Sequence, residues 1–195
     1  MQTRVFGRLC LAAGVVFASA CGAANGAIIN YQAFLDGPSE APPNASPGTG
    51  FATFTIDTAL HTMTMQVNFS GLIGNVTAAH IHGPTASPGL GTAGVMTTTP
   101  TFAGFPSGVT SGIYNNTLDL TLASTWNPSF VTANGGTTAG AESAFLAALA
   151  SGKAYLNIHT SLFPGGEIRG FLQVPAPSVL GLAGFGMLVG ARRRR

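Results

Sequence analysis

Three histidines carry the clearest chemistry in this chain. His80 and His82 flank one residue in Ala79-His80-Ile81-His82-Gly83-Pro84, and His159 closes the run Ala154-Tyr155-Leu156-Asn157-Ile158-His159. In an extended strand alternate side chains share a face, so His80 and His82 would point the same way. Three converging neutral imidazoles suit copper or zinc and leave positions open for water or a ligand. One ion requires their ring nitrogens to approach within about 4 Å of one another around a common point. Glu167 and Arg169 are also two apart, so both are candidates to partner a histidine from behind. The plainer alternative is that the histidines hydrogen-bond backbone or Glu167 and only fix neighbouring segments.

Other reactive-looking residues read as ordinary. Met63 and Met65 alternate with Val67 and Phe69, which favours packing over soft copper ligation. Pro84 to Gly94 is glycine-rich but lacks the lysine and following helix of a phosphate loop. Ser, His and Asp all occur, yet without a Gly-x-Ser-x-Gly elbow. His61 reads as a solvated turn residue. Trp126, ahead of Asn127-Pro128, reads as a loop aromatic that could stack on a sugar. No catalytic set is complete, so the expectation is a non-enzymatic protein, with copper redox chemistry the one enzymatic alternative.

The elements that must position these residues read as strands. Thr, Val, Ile and Phe dominate the body, and Gly, Pro and Asn punctuate it. The pattern predicts strands over 28–35, 51–57, 63–69, 76–82, 117–122, 154–159 and 167–174. One helix is predicted over 141–150, where Phe145, Leu146 and Leu149 keep helical spacing and Gly152 can end it. The expected fold is all-β, an antiparallel sandwich of immunoglobulin-like or superoxide dismutase-like Greek-key type with one short helix.

Charge and cysteine divide the chain into three. Of the 195 residues, only Lys153 and Arg169 are basic between Ala27 and Pro177, against six acidic residues, which gives that region a charge of −4. A mildly acidic body without basic clusters argues against nucleic acid as a partner. Both cysteines, Cys10 and Cys21, lie in the first two dozen residues. Arg4 and Arg8 followed by the apolar run 9–20 read as a secretory signal spanning 1–26, with processing by signal peptidase between Gly26 and Ala27; Ala18-Ser19-Ala20 before Cys21 is a rival site that would make Cys21 a lipidated first residue. The domain is then 27–173. The tail, 174–195, holds Val174-Pro175-Ala176-Pro177, an apolar stretch, and Arg192, Arg193, Arg194 and Arg195. Both flanking apolar segments are expected to be helical and short for a stable membrane span.

Two resemblances follow from these motifs. The Ala79–Pro84 segment, the segment 151–160 with Pro164-Gly165-Gly166-Glu167-Ile168-Arg169-Gly170, and the opening Phe34-Leu35-Asp36-Gly37 with Glu40 and Pro42 resemble the CHRD domain, first described in chordin and common in exported bacterial proteins. The tail resembles a PEP-CTERM sorting signal, with Ala176 standing where that motif has glutamate. The first resemblance implies a compact β-sandwich in a binding or structural role at the cell surface or in the extracellular matrix. The second implies transient or retained inner-membrane association, cleavage by an exosortase-type protease, and extracellular polysaccharide as a possible partner. His-x-His on a strand also distantly resembles copper-zinc superoxide dismutase, but no histidine lies between Gly83 and Ile158 to supply that family's bridging ligand and zinc site.

Overall fold

The computed structural model describes residues 26–176. The predicted signal through residue 25, Pro177, the apolar stretch of the tail and Arg192–Arg195 lie outside them. Gly26 and Ala27 lie at the start of the described chain, where the Ala27 amide donates to Thr58 Oγ1 at 2.7 Å. Val174, Pro175 and Ala176 are exposed at its end. No helix among the described residues is long and apolar enough to cross a membrane.

Seven strands form one curled antiparallel sheet, an all-β architecture of sandwich or barrel-like kind. They are β1 (Ile28–Asp36), β2 (Thr49–Asp57), β3 (Thr62–Ser70), β4 (Val76–His82), β5 (Gly112–Asp119), β6 (Tyr155–Thr160) and β7 (Ile168–Phe171). Their order across the sheet is β4-β6-β7-β1-β2-β3-β5. The β3 alternation shows why the sheet curls on one side. Met63, Met65, Val67 and Phe69 are buried while Thr64, Gln66 and Asn68 are exposed. Each buried side chain contributes roughly 1.5–3 kcal/mol, which fixes which face turns inward.

Two helices close the core. α1 (Pro128–Ala133) starts at Asn127, whose side chain accepts from the Ser129 amide, and Pro128 fits its first turn. α2 (Thr138–Ala150) contains the predicted helix and buries Phe145 and Leu149. Gly152, at φ +65°, follows it. The Lys153 amide bonds back to Ala148 O at 2.9 Å, so a glycine-type cap satisfies the last carbonyls.

Trp126 corrects the expectation of a loop aromatic open to sugars. It is 2% exposed, donates through Nε1 to Leu120 O at 2.9 Å, and meets Phe145 edge-on with centroids 5.4 Å apart. The strand expected at 117–122 also shifts. It runs earlier, as β5, because Asp119 Oδ1 accepts from the Thr121 amide and hydroxyl and turns the chain out of the sheet. Leu120 then enters the core and Leu122 is exposed.

The outer face of the sheet has two halves. Over β1, β2, β3 and β5 it is open. Over β4, β6 and β7 it is covered by the segments 37–48, 83–94 and 161–167, so all six residues of β6 are buried. Residues 95–109 run along the edge of β4, where Ile81 O accepts from Met96 N and Ala79 O from Phe102 N. That stretch protects an edge that would otherwise be open to further pairing.

Candidate metal centre

Strand register brings the three histidines together. β4 pairs with β6 so that Ala78 faces His159, His80 faces Asn157 and His82 faces Tyr155. Residues opposite one another share a face, so His80, His82 and His159 all point to the covered outer side. His80 to His159 is a diagonal neighbour pair, with ring centroids 4.7 Å apart, and His80 to His82 measures 4.6 Å.

Each ring is fixed from behind by a backbone carbonyl. His80 Nδ1 donates to Pro100 O at 3.0 Å, His82 Nδ1 to Ala93 O at 2.9 Å, and His159 Nδ1 to Pro164 O at 2.8 Å. A carbonyl can only accept, so the proton of each neutral ring sits on Nδ1. Every Nε2 therefore carries its lone pair outward. This is the tautomer that metal-ligating imidazoles adopt when their other nitrogen is tied to a carbonyl.

The lone pairs converge. His82 Nε2 and His159 Nε2 lie 3.5 Å apart. One ring nitrogen from each of the three residues falls within 4.8 Å of the others. Ligands bonded at about 2.0–2.1 Å in tetrahedral geometry stand roughly 3.4 Å apart, so one pair already fits. The widest gap, up to 4.8 Å, exceeds the separation of about 4 Å that one ion requires, and the rings must close by up to about 1.4 Å to share it. Three ring nitrogens leave a fourth position for water or a ligand.

The site holds its rings uncharged. Burial pushes His80 down to about 4, helped by His82 and His159 and opposed by the Pro100 carbonyl. Burial likewise lowers His82 to about 4; the Ala93 carbonyl opposes this, while His159 and Arg169 add to it. Burial lowers His159 as well, against the Pro164 carbonyl. At neutral pH all three are ligand-ready without losing a proton.

Glu167 corrects the expected pairing with a histidine. It is fully buried, and its carboxylate accepts from Ser46 Oγ at 2.6 Å, Thr160 Oγ1 at 2.7 Å, Ile73 N at 2.7 Å and Gly74 N at 3.0 Å. Burial alone would raise its pKa, but these four donors outweigh it and hold the carboxyl below its usual range. Glu167 precedes β7 and ties three loops together, away from the imidazoles.

Arg169 also makes no hydrogen bond to a histidine, yet it braces the site indirectly. Its guanidinium lies 4.8 Å from the Tyr155 ring centroid, and Tyr155 stacks on His82 at 4.9 Å with an interplanar angle of 1°. It donates to Gly91 O at 2.9 Å and to Ser39 O, which pins the segment that carries Ala93. The Glu40 carboxylate lies 3.8 Å from Arg169 Nε. Burial pushes Glu40 up to about 7 against the pull of that guanidinium. Among the described residues Glu40 Oε1 and Asn157 Oδ1 have no hydrogen-bond partner, and both crowd the position a side chain on Gly166 would take.

Sequence reasoning missed Tyr155, Asn157 and Glu40. The first two stand four and two residues before His159, so the alternation that groups His80 with His82 could have found them. The three carbonyls carry no residue-type signal. His61, read as solvated, is half exposed and sits 2.9 Å from the buried Glu142 carboxylate.

The CHRD domain pattern matches residues 31–172, and the chain belongs to the CHRD domain family. No curated protein and no solved structure matches the chain. The family assignment agrees with an extracellular binding or structural domain, and the matched span contains all three histidines.

Proposed function

We propose that this CHRD-domain chain is an exported, non-catalytic cell-surface or matrix protein whose binding role centres on one copper or zinc ion held by His80, His82 and His159. One observation carries the reading. The Nε2 lone pairs of His82 and His159 face each other at 3.5 Å, and both rings are fixed from behind so that neither Nε2 carries a proton. Two acceptors aimed at one point repel, and a cation there turns the repulsion into coordination. Neutral imidazoles without carboxylate or thiolate favour zinc or copper over magnesium or calcium.

Metal analysis of the purified chain, after loading with copper or zinc and dialysis, tests this. The expected result is about one ion per chain and near-total loss in His82→Ala. Equal metal in the two proteins would remove the centre. A superoxide dismutation assay of the copper-loaded chain, with unbound copper masked by a chelator, separates binding from catalysis, and the reading expects no activity above that of the His82→Ala protein treated alike.

Export rests on the two end segments, which read as signal peptide and sorting tail. A chain tagged within its body should appear outside the cytoplasm with its N-terminus trimmed. An intact N-terminus on a cytoplasmic protein would sink the location.

A further inference from the structure

We propose that the open half of the sheet's outer face is a binding surface for a neutral polysaccharide, separate from the histidine centre. Strand register arranges this face in rows. Gln32, Thr53, Gln66 and Asn115 line up across β1, β2, β3 and β5. The next row is Phe34, Phe51, Asn68 and Ile113.

The apolar row is exposed at a cost. Phe34 is 68% exposed and Ile113 66%, although the opposite face of β1 buries Tyr31, Ala33 and Leu35 and that of β5 buries Tyr114. Phe34 and Phe51 form a ridge with centroids 4.8 Å apart. A hollow of ≈ 200 Å³ lies on one side, lined by Phe51, Gln66, Ile113 and Asn115. Another of ≈ 350 Å³ lies on the other side, lined by Gln32, Phe34, Phe171 and Gln173. An aromatic ridge between amide-lined hollows suits sugar rings, whose C–H faces pack on aromatic faces while their hydroxyls need both donors and acceptors.

The hydrogen-bonding groups are available. In the neighbouring row Thr55 donates to Asn30 at 2.8 Å and Thr64 bonds Thr117 at 2.9 Å, so that row closes on itself. Among the described residues no such side-chain bond holds the amides of Gln32, Gln66 or Asn115. The choice of partner comes from charge and area. No lysine or arginine stands in these rows, which disfavours nucleic acid, anionic polymers and acidic membranes. Four strands of eight or nine residues at about 4.8 Å spacing give roughly 540 Å², about two-thirds of what each partner in a stable protein interface contributes. That footprint is too small for a durable second copy and suits a narrow chain laid across the ridge.

The experiment is binding of the purified chain to an array of neutral and anionic oligosaccharides. Wild type and His82→Ala are expected to bind neutral members alike. Phe34→Ala and the pair Gln66→Ala with Asn115→Ala are expected to weaken that binding about tenfold or more, with thermal midpoints unchanged because these side chains are exposed. The proposal is overturned if no neutral member binds, if binding is confined to anionic members, or if the face variants bind as wild type does. Sedimentation in parallel covers the rival occupant: self-association abolished by Phe34→Ala would assign the face to a second copy instead. A metal-free His82→Ala protein that still binds glycan keeps this result independent of the metal reading.

Discussion

His82 and His159 sit on adjacent antiparallel strands with their Nε2 atoms 3.5 Å apart, and each Nδ1 is held by a carbonyl from a different loop. Neither residue would form half of a site alone. The pairing of β4 with β6 makes the site, and the covering loops orient it.

Acid should loosen the metal-free fold over a defined window. His80 and His82 ordinarily titrate near 6.5 and fall to about 4 on folding. The unfolded chain then takes up protons that the folded chain refuses, so stability from these groups is complete above about 6.5 and is lost as pH falls toward 4. Glu40 has the opposite sign. Its carboxyl rises from 4.5 to about 7, so its contribution is present below about 4.5 and fades as pH climbs through 7. Urea unfolding with chelator present should show a net loss of about a few kcal/mol between pH 6.5 and 4. An unchanged profile in the His80→Ala, His82→Ala double variant would refute this assignment.

Glu167→Gln should destabilise strongly. The substitution keeps size but replaces an acceptor with a donor amide facing Ser46, Thr160 and two backbone N–H groups. Leaving buried donors unmatched costs about 2–4 kcal/mol here. Denaturant midpoints measure it, and a loss below about 1 kcal/mol would mean the knot is dispensable.

Trp126 gives a direct optical check of the core, because it is the chain's single tryptophan. Its emission should be blue-shifted and resist quenching by acrylamide. Trp126→Ala should cost about 3–5 kcal/mol. Unhindered quenching in the native protein would contradict its burial.

Gly166→Ala should weaken metal binding without touching a ligand. Gly166 has φ +127°, and a β-carbon there would press on Asn157 and Glu40. Relief requires the 161–167 segment to move, and Pro164 O with it. Disturbing a ligand's rear partner commonly costs about 10–100-fold in affinity. Competition with a chromophoric chelator reads it, and unchanged affinity would show that the segment yields without moving Pro164.

Strands with one wet face could be read from the sequence. β3 alternates without interruption. β4, whose outer face is covered, also falls on the predicted 76–82. The spacing of His80 and His82 sufficed to place them on one face. What was not legible depends on contacts between distant segments. Leu118, Leu120 and Leu122 keep strand spacing, but a local aspartate turn overrides it. α1 is six residues long, too short for a helical period to show. Glu167 alternates with Arg169, as expected of a strand, yet it stands just before β7, where loop amides claim its carboxylate.

The three carbonyls behind the imidazoles have one more consequence. They belong to the main chain at Ala93, Pro100 and Pro164, so most substitutions in those loops would leave the oxygen in place. Relatives could therefore drift widely in the surrounding loop residues and keep the same electronic tuning of the rings. Loop length is a different matter, because one inserted or deleted residue moves the oxygen itself. For the supporting shell, gaps in an alignment should report on function more faithfully than mismatches do.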